Sequence, residues 1–310
     1  VSVDFWIGVG VLAGIYGIFT LGLQLNAGFT GILNFGQAGF MAIGAYTVGL
    51  LVADHGWSLW LALPAGVGLA VLAGILVGIP SLRLRSDYFA IATIAFAEIV
   101  RYTLQNARFS GGNQGVLGFD DEWRAIASAV LDSLKPLGLG LEDRTQLPLL
   151  VVVWLTFAAL VVALTALQGT PWGRVLRAIR EDEDAAAALG KNVLSYKLQS
   201  LGLAAAIAAV AGFFVALNVS YLFPTVFDPT FTFLGYAILI LGGYASYAGV
   251  AVGGVLLWAL LEGTRFIELG LDGNQQASLR FVIVGVFLIL LSALRPQGLL
   301  GSRDEMVMRQ

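Results

Sequence analysis

Cysteine is absent from the 310 residues, and histidine occurs once, as His55. The first absence removes disulfides, thiolate nucleophiles and thiolate metal ligands. The second removes any site built on several imidazoles. Charge is scarce too: 12% of residues are Asp, Glu, Lys or Arg, against about 25% in a soluble domain. A net charge of −3 is too small to point to nucleic acid as a partner. No GxxxxGK[ST] loop occurs: Gly190-Lys191 is followed by Asn192 and lacks the upstream glycine, so the chain has no phosphate-binding loop of its own. There is no G-x-S-x-G for acyl transfer. No catalytic set, metal site or cofactor site is expected. The chain opens on Val1 without a basic leader region, and no signal peptide is readable.

What is present is apolar. Hydrophobic residues make up 58% of the chain, and its mean hydropathy is +0.85. Apolar runs recur along the whole length, near the roughly 20 residues that cross a hydrocarbon core about 30 Å thick. The period-2 alternation of a membrane β-barrel is missing. The expected fold class is all-α: a polytopic membrane helical bundle, read as one transmembrane domain over residues 1–310.

The spans read as Phe5 to Gln24, then Leu25 to Val52, Trp57 to Ile79 (ended by Pro80), Tyr88 to Leu104, Leu147 to Leu167 and Leu198 to Val219. An interrupted stretch from Phe233 to Ile267 and a last span from Leu279 to Leu294 follow. Basic residues form three groups: Arg83 and Arg85; Arg174, Arg177, Arg180, Lys191 and Lys197; and Arg295, Arg303 and Arg309. Helix parity puts all three on one side, which the positive-inside rule makes cytoplasmic. The acidic outer loop 105–146 then lies opposite, with the N terminus outside and the C terminus inside. Parity also requires residues 233–268 to enter and return, so this stretch, turning at Gly242-Gly243-Tyr244-Ala245-Ser246, reads as a broken, re-entrant helix.

Leu25 to Leu51 is the other unusual segment. It carries Asn26, Thr30, Asn34 and Gln37 among five glycines from Gly28 to Gly44. Backbone polar groups in hydrocarbon must be paired internally, so this segment belongs where protein surrounds it or where it lines a wet cavity. Its surplus length predicts an unwound portion around Asn26 to Gln37. Two roles remain open for Asn34 and Gln37: hydrogen bonding between helices, or lining a translocation path with Thr30, Tyr88, Thr93 and Glu98. Glu98/Arg101 and Glu262/Arg265 are each spaced i,i+3, which fits a local ion pair; Glu98 facing a cavity is the alternative.

Gly173 to Gly190, GRVLRAIREDEDAAAALG, differs from both. Arg174, Arg177 and Arg180 share a helical face, acidic residues follow, and an alanine run leads to Gly190 as a helix stop. A short amphipathic helix of small residues on the cytoplasmic side suits insertion into a partner's cleft; a solvated positive-inside loop is the plainer reading.

With GFTGILNFGQAGFMAIGAYT (28–47), SDYFAIATIAFAEIVRYTLQN (86–106), SGGNQGV (110–116), the 173–199 segment, GGYASYAGVAVGG (242–254) and RPQGLLG (295–301) in this order, the chain resembles the LivM-type permease subunits of branched-chain amino-acid ABC importers. The resemblance runs nearly end to end. It implies a bundle similar to vitamin-B12-importer-type permeases, in the bacterial cytoplasmic (inner) membrane. It implies inward movement of branched-chain amino acids by alternating access. It implies a LivH-like second permease, two ATP-binding subunits that hold ATP and Mg, and an extracytoplasmic substrate-binding protein, with membrane lipid around this chain. By the same resemblance, loop 170–192 is the coupling loop, with Arg177, Arg180, Glu181, Asp182, Asp184 and Gly190 meeting an ATPase. Urea and short-chain amide importers use similar permeases and are the alternative. An ATP-independent channel or secondary transporter is the further one.

Overall fold

The apolar runs become helices, and their small-residue stripes decide how the helices pack. A computed structural model describes residues 3–135, 144–264 and 273–301. Helix α1 (Val3–Leu23) continues without a stop into a π-helical segment, Gln24–Thr30, that ends on Gly31 in the left-handed conformation (φ 77°). Residues 31–36 are unwound, and α2 (Gln37–Ala53) follows. Next come α3 (Leu59–Ser81), α4 (Ser86–Asn106), α5 (Asp121–Leu134) and α6 (Leu147–Gly169). Two short helices, α7 (Pro171–Glu181) and α8 (Glu183–Ala188), lead to α9 (Val193–Val219). The chain closes with α10 (Pro229–Gly242), α11 (Tyr247–Gly263) and α12 (Gly273–Leu294). Among the described residues the only β-type pairing is the bridge between Val116 and Leu222.

Four helices are long and apolar enough to cross a membrane: Val3–Thr30, Leu59–Ser81, Leu147–Gly169 and Val193–Val219. The α10–α11 pair bends by 116° at its break, as a broken span or re-entrant element does, and α2 is a shorter apolar helix. The fold is therefore the all-α polytopic bundle expected from composition. Helix ends differ from the expected spans by a few residues; α3, for one, runs through Pro80 to Ser81, where the proline forgoes one amide donor in the last turn.

Helices α1 and α9 form the buried centre. In α3 only Leu59, Ala62, Gly66, Ala70, Gly74, Gly78 and Ser81 are buried, one stripe at a spacing of three or four residues. That stripe lies on α2 and α9, where a Cβ added at Gly78 would stand 2.7 Å from Leu198. The Gly10/Gly14 face of α1 receives α6, with an added Cβ at Gly14 only 2.5 Å from Val153. Small residues thus set interhelical distance where lipid offers no hydrophobic drive to association. At the α2–α9 crossing, a Cβ on Gly212 would come within 2.2 Å of the Met41 carbonyl oxygen.

One end of the bundle gathers basic residues from two separate parts of the chain, with Arg83 and Arg85 sharing a cavity wall with Lys197. At the opposite end Glu122 of α5 accepts from Ser58 Oγ (3.1 Å) and from the Leu59 amide (2.7 Å), so an acidic loop residue caps α3. Asp4 pairs with Arg144 there at 2.6 Å. Residues 136–143 of the acidic loop, and Arg265, Arg303 and Arg309, lie outside the described residues.

Overpacking of a tight crossing costs about 1–3 kcal/mol. Gly212→Leu is expected to lower the thermal midpoint of the detergent-solubilised protein or to abolish its accumulation. Gly68→Ala, which meets nothing within 4 Å, is expected to change neither. Equal behaviour of the two variants would refute the crossing.

Candidate functional site

The site is built on the unwound residues 31–36, whose backbone groups have lost helical partners inside a buried region. Each element around them supplies a substitute. Ile32 N donates back to Asn26 O (2.9 Å). Phe35 N donates to Thr93 Oγ1 of α4 (3.1 Å). Gly36 N donates to Asn34 Oδ1 (2.9 Å), and Tyr236 Oη of α10 donates to Asn34 O (3.1 Å). Just inside α2, Ala38 N donates to Thr232 Oγ1 (3.2 Å). An unpaired backbone group there would cost about 1–3 kcal/mol, so these side chains hold the break open in one geometry.

Asn34, Gln37, Thr30 and Thr93 are all buried, at 0–1% exposure. Asn34 Nδ2 donates to Gln37 Oε1 (2.8 Å), and Gln37 Nε2 donates to Ala204 O of α9 (3.0 Å). One turn earlier on α9, Ser200 shares a hydrogen bond with Thr30 Oγ1 (2.7 Å) and donates to Asn26 Oδ1 (3.0 Å). The four polar residues singled out by sequence thus come together on one strip of α9 and on α4. Thr30, Gln37 and Thr93 each bridge to another element, while the Asn34 side chain bonds locally to Gln37 and Gly36.

Tyr88 and Glu98 are placed elsewhere. Tyr88 is 62% exposed on the outer face of α4. Glu98 accepts from Arg101 Nε (3.1 Å) and Nη2 (2.5 Å), and the guanidinium also lies 4.4 Å from the Tyr102 ring centre. That is the local i,i+3 pair, and it leaves Glu98 committed to its own helix.

The second break lies against the first. With its carboxamide oxygen turned toward the loop, Gln24 accepts from Ala245 N (2.5 Å) and Ser246 N (2.6 Å). Phe29 and Tyr247 rings are 5.6 Å apart. Ala245 sits at φ 60°, a left-handed conformation costly for a residue with a Cβ. The segment 295–301 closes the far side of this break. Leu299 N and Leu300 N donate to Leu241 O and Gly242 O, both at 2.9 Å. Gly243 (φ 109°) and Gly298 (φ 76°) approach so closely that a Cβ on Gly298 would be 2.6 Å from Gly243 Cα.

The amphipathic segment also reaches these breaks. Its expected single helix is two, because Asp182 leaves the helical conformation (φ −153°) and caps α8 by accepting from Ala185 N (2.9 Å). Arg174 and Arg177 reach back to the carbonyls of Gly169 (3.3 Å) and Gln168 (3.2 Å) at the end of α6, where cations offset the helix dipole. Arg180, expected to face a partner, turns inward and donates to Gly28 O in the π segment. Gln168 in turn donates to Tyr247 Oη. Glu181, Asp182, Asp184 and Gly190 are exposed, and Leu189 is 81% exposed at the tip. Among the described residues no group of three or more His, Cys, Asp or Glu is placed to hold a metal ion.

Ser200, Thr232, Tyr236, Gln24 and the 295–301 backbone were not singled out as site residues from sequence. Ser200 carried a signal, as the one hydroxyl in the alanine-rich run between Gln199 and Asn218.

The fold defines a polytopic membrane helical bundle with two broken helices stapled by polar side chains. The chain belongs to the family described as "Branched-chain amino acid transport system / permease component", whose model matches residues 6–292. It is 35% identical over 303 residues to the high-affinity branched-chain amino acid transport system permease protein LivM of Escherichia coli K12, covering 94% of this chain and 69% of that one. A probable LivM of Methanocaldococcus jannaschii is 26% identical, over 94% of this chain and 91% of its own. The LivH permease of E. coli K12 is 24% identical, over 94% and 93%. No solved structure matches significantly.

Thr93→Val removes the only acceptor of the Phe35 amide while keeping shape. It is expected to cost about 1–3 kcal/mol, read as a lower thermal midpoint. Tyr88→Phe is expected to leave the midpoint unchanged, and a Thr93→Val protein as stable as the parent would overturn the stapling role.

Proposed function

We propose that this chain is the permease subunit of an ATP-driven importer that moves branched-chain amino acids inward by alternating access. Its partners are a LivH-like second permease, two ATPases and an extracytoplasmic binding protein, arranged as in vitamin-B12-importer-type systems. The observation that carries this reading is the physical path from α7–α8 to both breaks. The exposed tip, with Glu181, Asp184 and Leu189, is free to enter an ATPase cleft. Arg180 ties the same helix to Gly28, and Arg177 ties it to Gln168, which holds Tyr247. Movement of α7 on ATP binding would therefore pull on the π segment and on the α10–α11 break together.

The basic end faces the cytoplasm in this reading, since positive residues stay on that side of the bacterial inner membrane. The N terminus then lies outside and the C terminus inside. Hydrolysis of ATP takes place in the partner subunits. A zwitterion with an apolar side chain needs few fixed charges, because half-helix ends and unwound backbone can meet its two charged groups. Asn34, Gln37, Thr30 and Thr93 would enter the path only when the staple opens.

Reconstituted with the two ATPases, the second permease and the binding protein, the complex is expected to take up leucine in an ATP-dependent manner. Uptake of urea or a short-chain amide instead would reassign the substrate, and ATP-independent uptake by this chain alone would end the importer reading. Charge-assisted hydrogen bonds contribute about 1.5–3 kcal/mol, or tenfold per 1.4 kcal/mol. Arg180→Ala should therefore cut binding-protein-stimulated ATP hydrolysis about tenfold or more and spare the unstimulated rate. Because the chain lacks cysteine, Asn34→Cys gives a clean probe: a water-soluble maleimide should label it during turnover and not at rest. Absence of labelling in both states would confine Asn34 to a structural role.

A further inference from the structure

Helix α4 starts at the basic end, where Arg85 precedes it and shares a cavity wall with Lys197 of α9. Beyond its last turn Val116 pairs with Leu222, just past the far end of α9. Helix α4 therefore crosses the bundle alongside α9. At 21 residues, about 31 Å, it has the length of a membrane span. It is nevertheless not one of the four helices apolar enough to cross alone. Its buried residues, Phe89, Thr93, Ala97 and Leu104, form one stripe turned to the first break and α2. Ile91, Ala95, Glu98, Ile99 and Tyr102 project from the opposite side, with Ile91 63% and Ile99 65% exposed.

Pairing with Arg101 still leaves the Glu98 side chain 26% exposed. The pair sits about 18–22 Å along the helix from Ser86, well inside a hydrocarbon core about 30 Å thick. Ionisable groups at such depth face protein or a water-filled cavity rather than lipid. The faces that α3 and α6 expose are different, since neither helix carries a charged residue. The first break adds a second observation. Thr93 holds the Phe35 amide, and two residues away Leu33 reaches the surface; non-helical backbone within hydrocarbon is not left exposed to lipid. We propose that the outward face of α4 is the contact surface for the second permease subunit, whose own membrane helix covers the Glu98–Arg101 pair with a polar side chain. This rests on the importer reading and adds which side of the chain meets its partner. The occupant is membrane-embedded because the pair lies at depth, and polar at one point because Glu98 is. A homologous permease supplies such a helix. Helix α4 is then the layer between the subunit boundary and the first break, so a path shared by two permeases runs beside the residues that Thr93 staples.

The test uses the assembled complex in membranes, with photoreactive benzoylphenylalanine in place of Ile99 or, on the outer face of α3, in place of Leu76, which is 70% exposed. On illumination, position 99 is expected to give an adduct with the second permease, and position 76 is not. No protein adduct from position 99, or equal yields from the two positions, would overturn the interface. An adduct between two copies of this chain would overturn the second permease as the occupant. Glu98→Leu with Arg101→Leu removes the pair and makes the face fit for lipid. This double variant is expected to keep the thermal midpoint of the chain and to lower the second permease recovered with it about tenfold, on the scale of lost charge-assisted bonds. Parental recovery would overturn the role of the pair. ATP-dependent leucine uptake without an adduct at position 99 would overturn the interface and leave the importer reading standing; the adduct without leucine uptake would do the reverse.

Discussion

A backbone that leaves the helix inside a membrane protein must find every lost hydrogen bond within the protein. Residues 31–36 impose that requirement here, and much of the surrounding structure answers it. Thr93 serves Phe35, Tyr236 serves Asn34 and Thr232 serves Ala38, so two further helices, α4 and α10, are pinned to one short stretch. The glycine stripes follow from the same demand. Side chains this short can bridge helices only if the backbones come close, as α2 and α9 do at Gly212.

The consequence is a network with few independent parts. The π segment is held by Ser200 of α9 through Asn26 and Thr30, by the second break through Gln24, and by α7 through Arg180. A π segment is an α-helix with extra residues accommodated in its turns, and such segments recur at functional sites. Here it is the place where the peripheral amphipathic helix, the central helix and the bent α10–α11 pair meet.

Composition and span length were enough to read the membrane bundle and the break between α10 and α11, because both depend on hydrophobicity summed over many residues. The unwound portion was legible from its glycines and amides. The partners of those amides were not. Ser200, Thr232 and Tyr236 lie 170 to 202 positions away from the residues they hold, and no local pattern encodes such a pairing. Tyr88 and Thr93 share α4, yet only Thr93 is buried, since a hydroxyl in a span looks alike on either face. Arg180 was grouped with Arg174 and Arg177 by helical spacing. The three do project from one helix, but the break at Asp182 and the nearness of Gly28 give Arg180 an inward acceptor that spacing cannot show.

The packing of 295–301 against Leu241, Gly242 and Gly243 bears on how the protein is made. The carbonyls of Leu241 and Gly242 are satisfied by amides that leave the ribosome more than fifty residues later. Through synthesis and insertion of α11 and α12 they have no such partner. The bent α10–α11 element therefore gains these two hydrogen bonds only once residues 295–301 are in place.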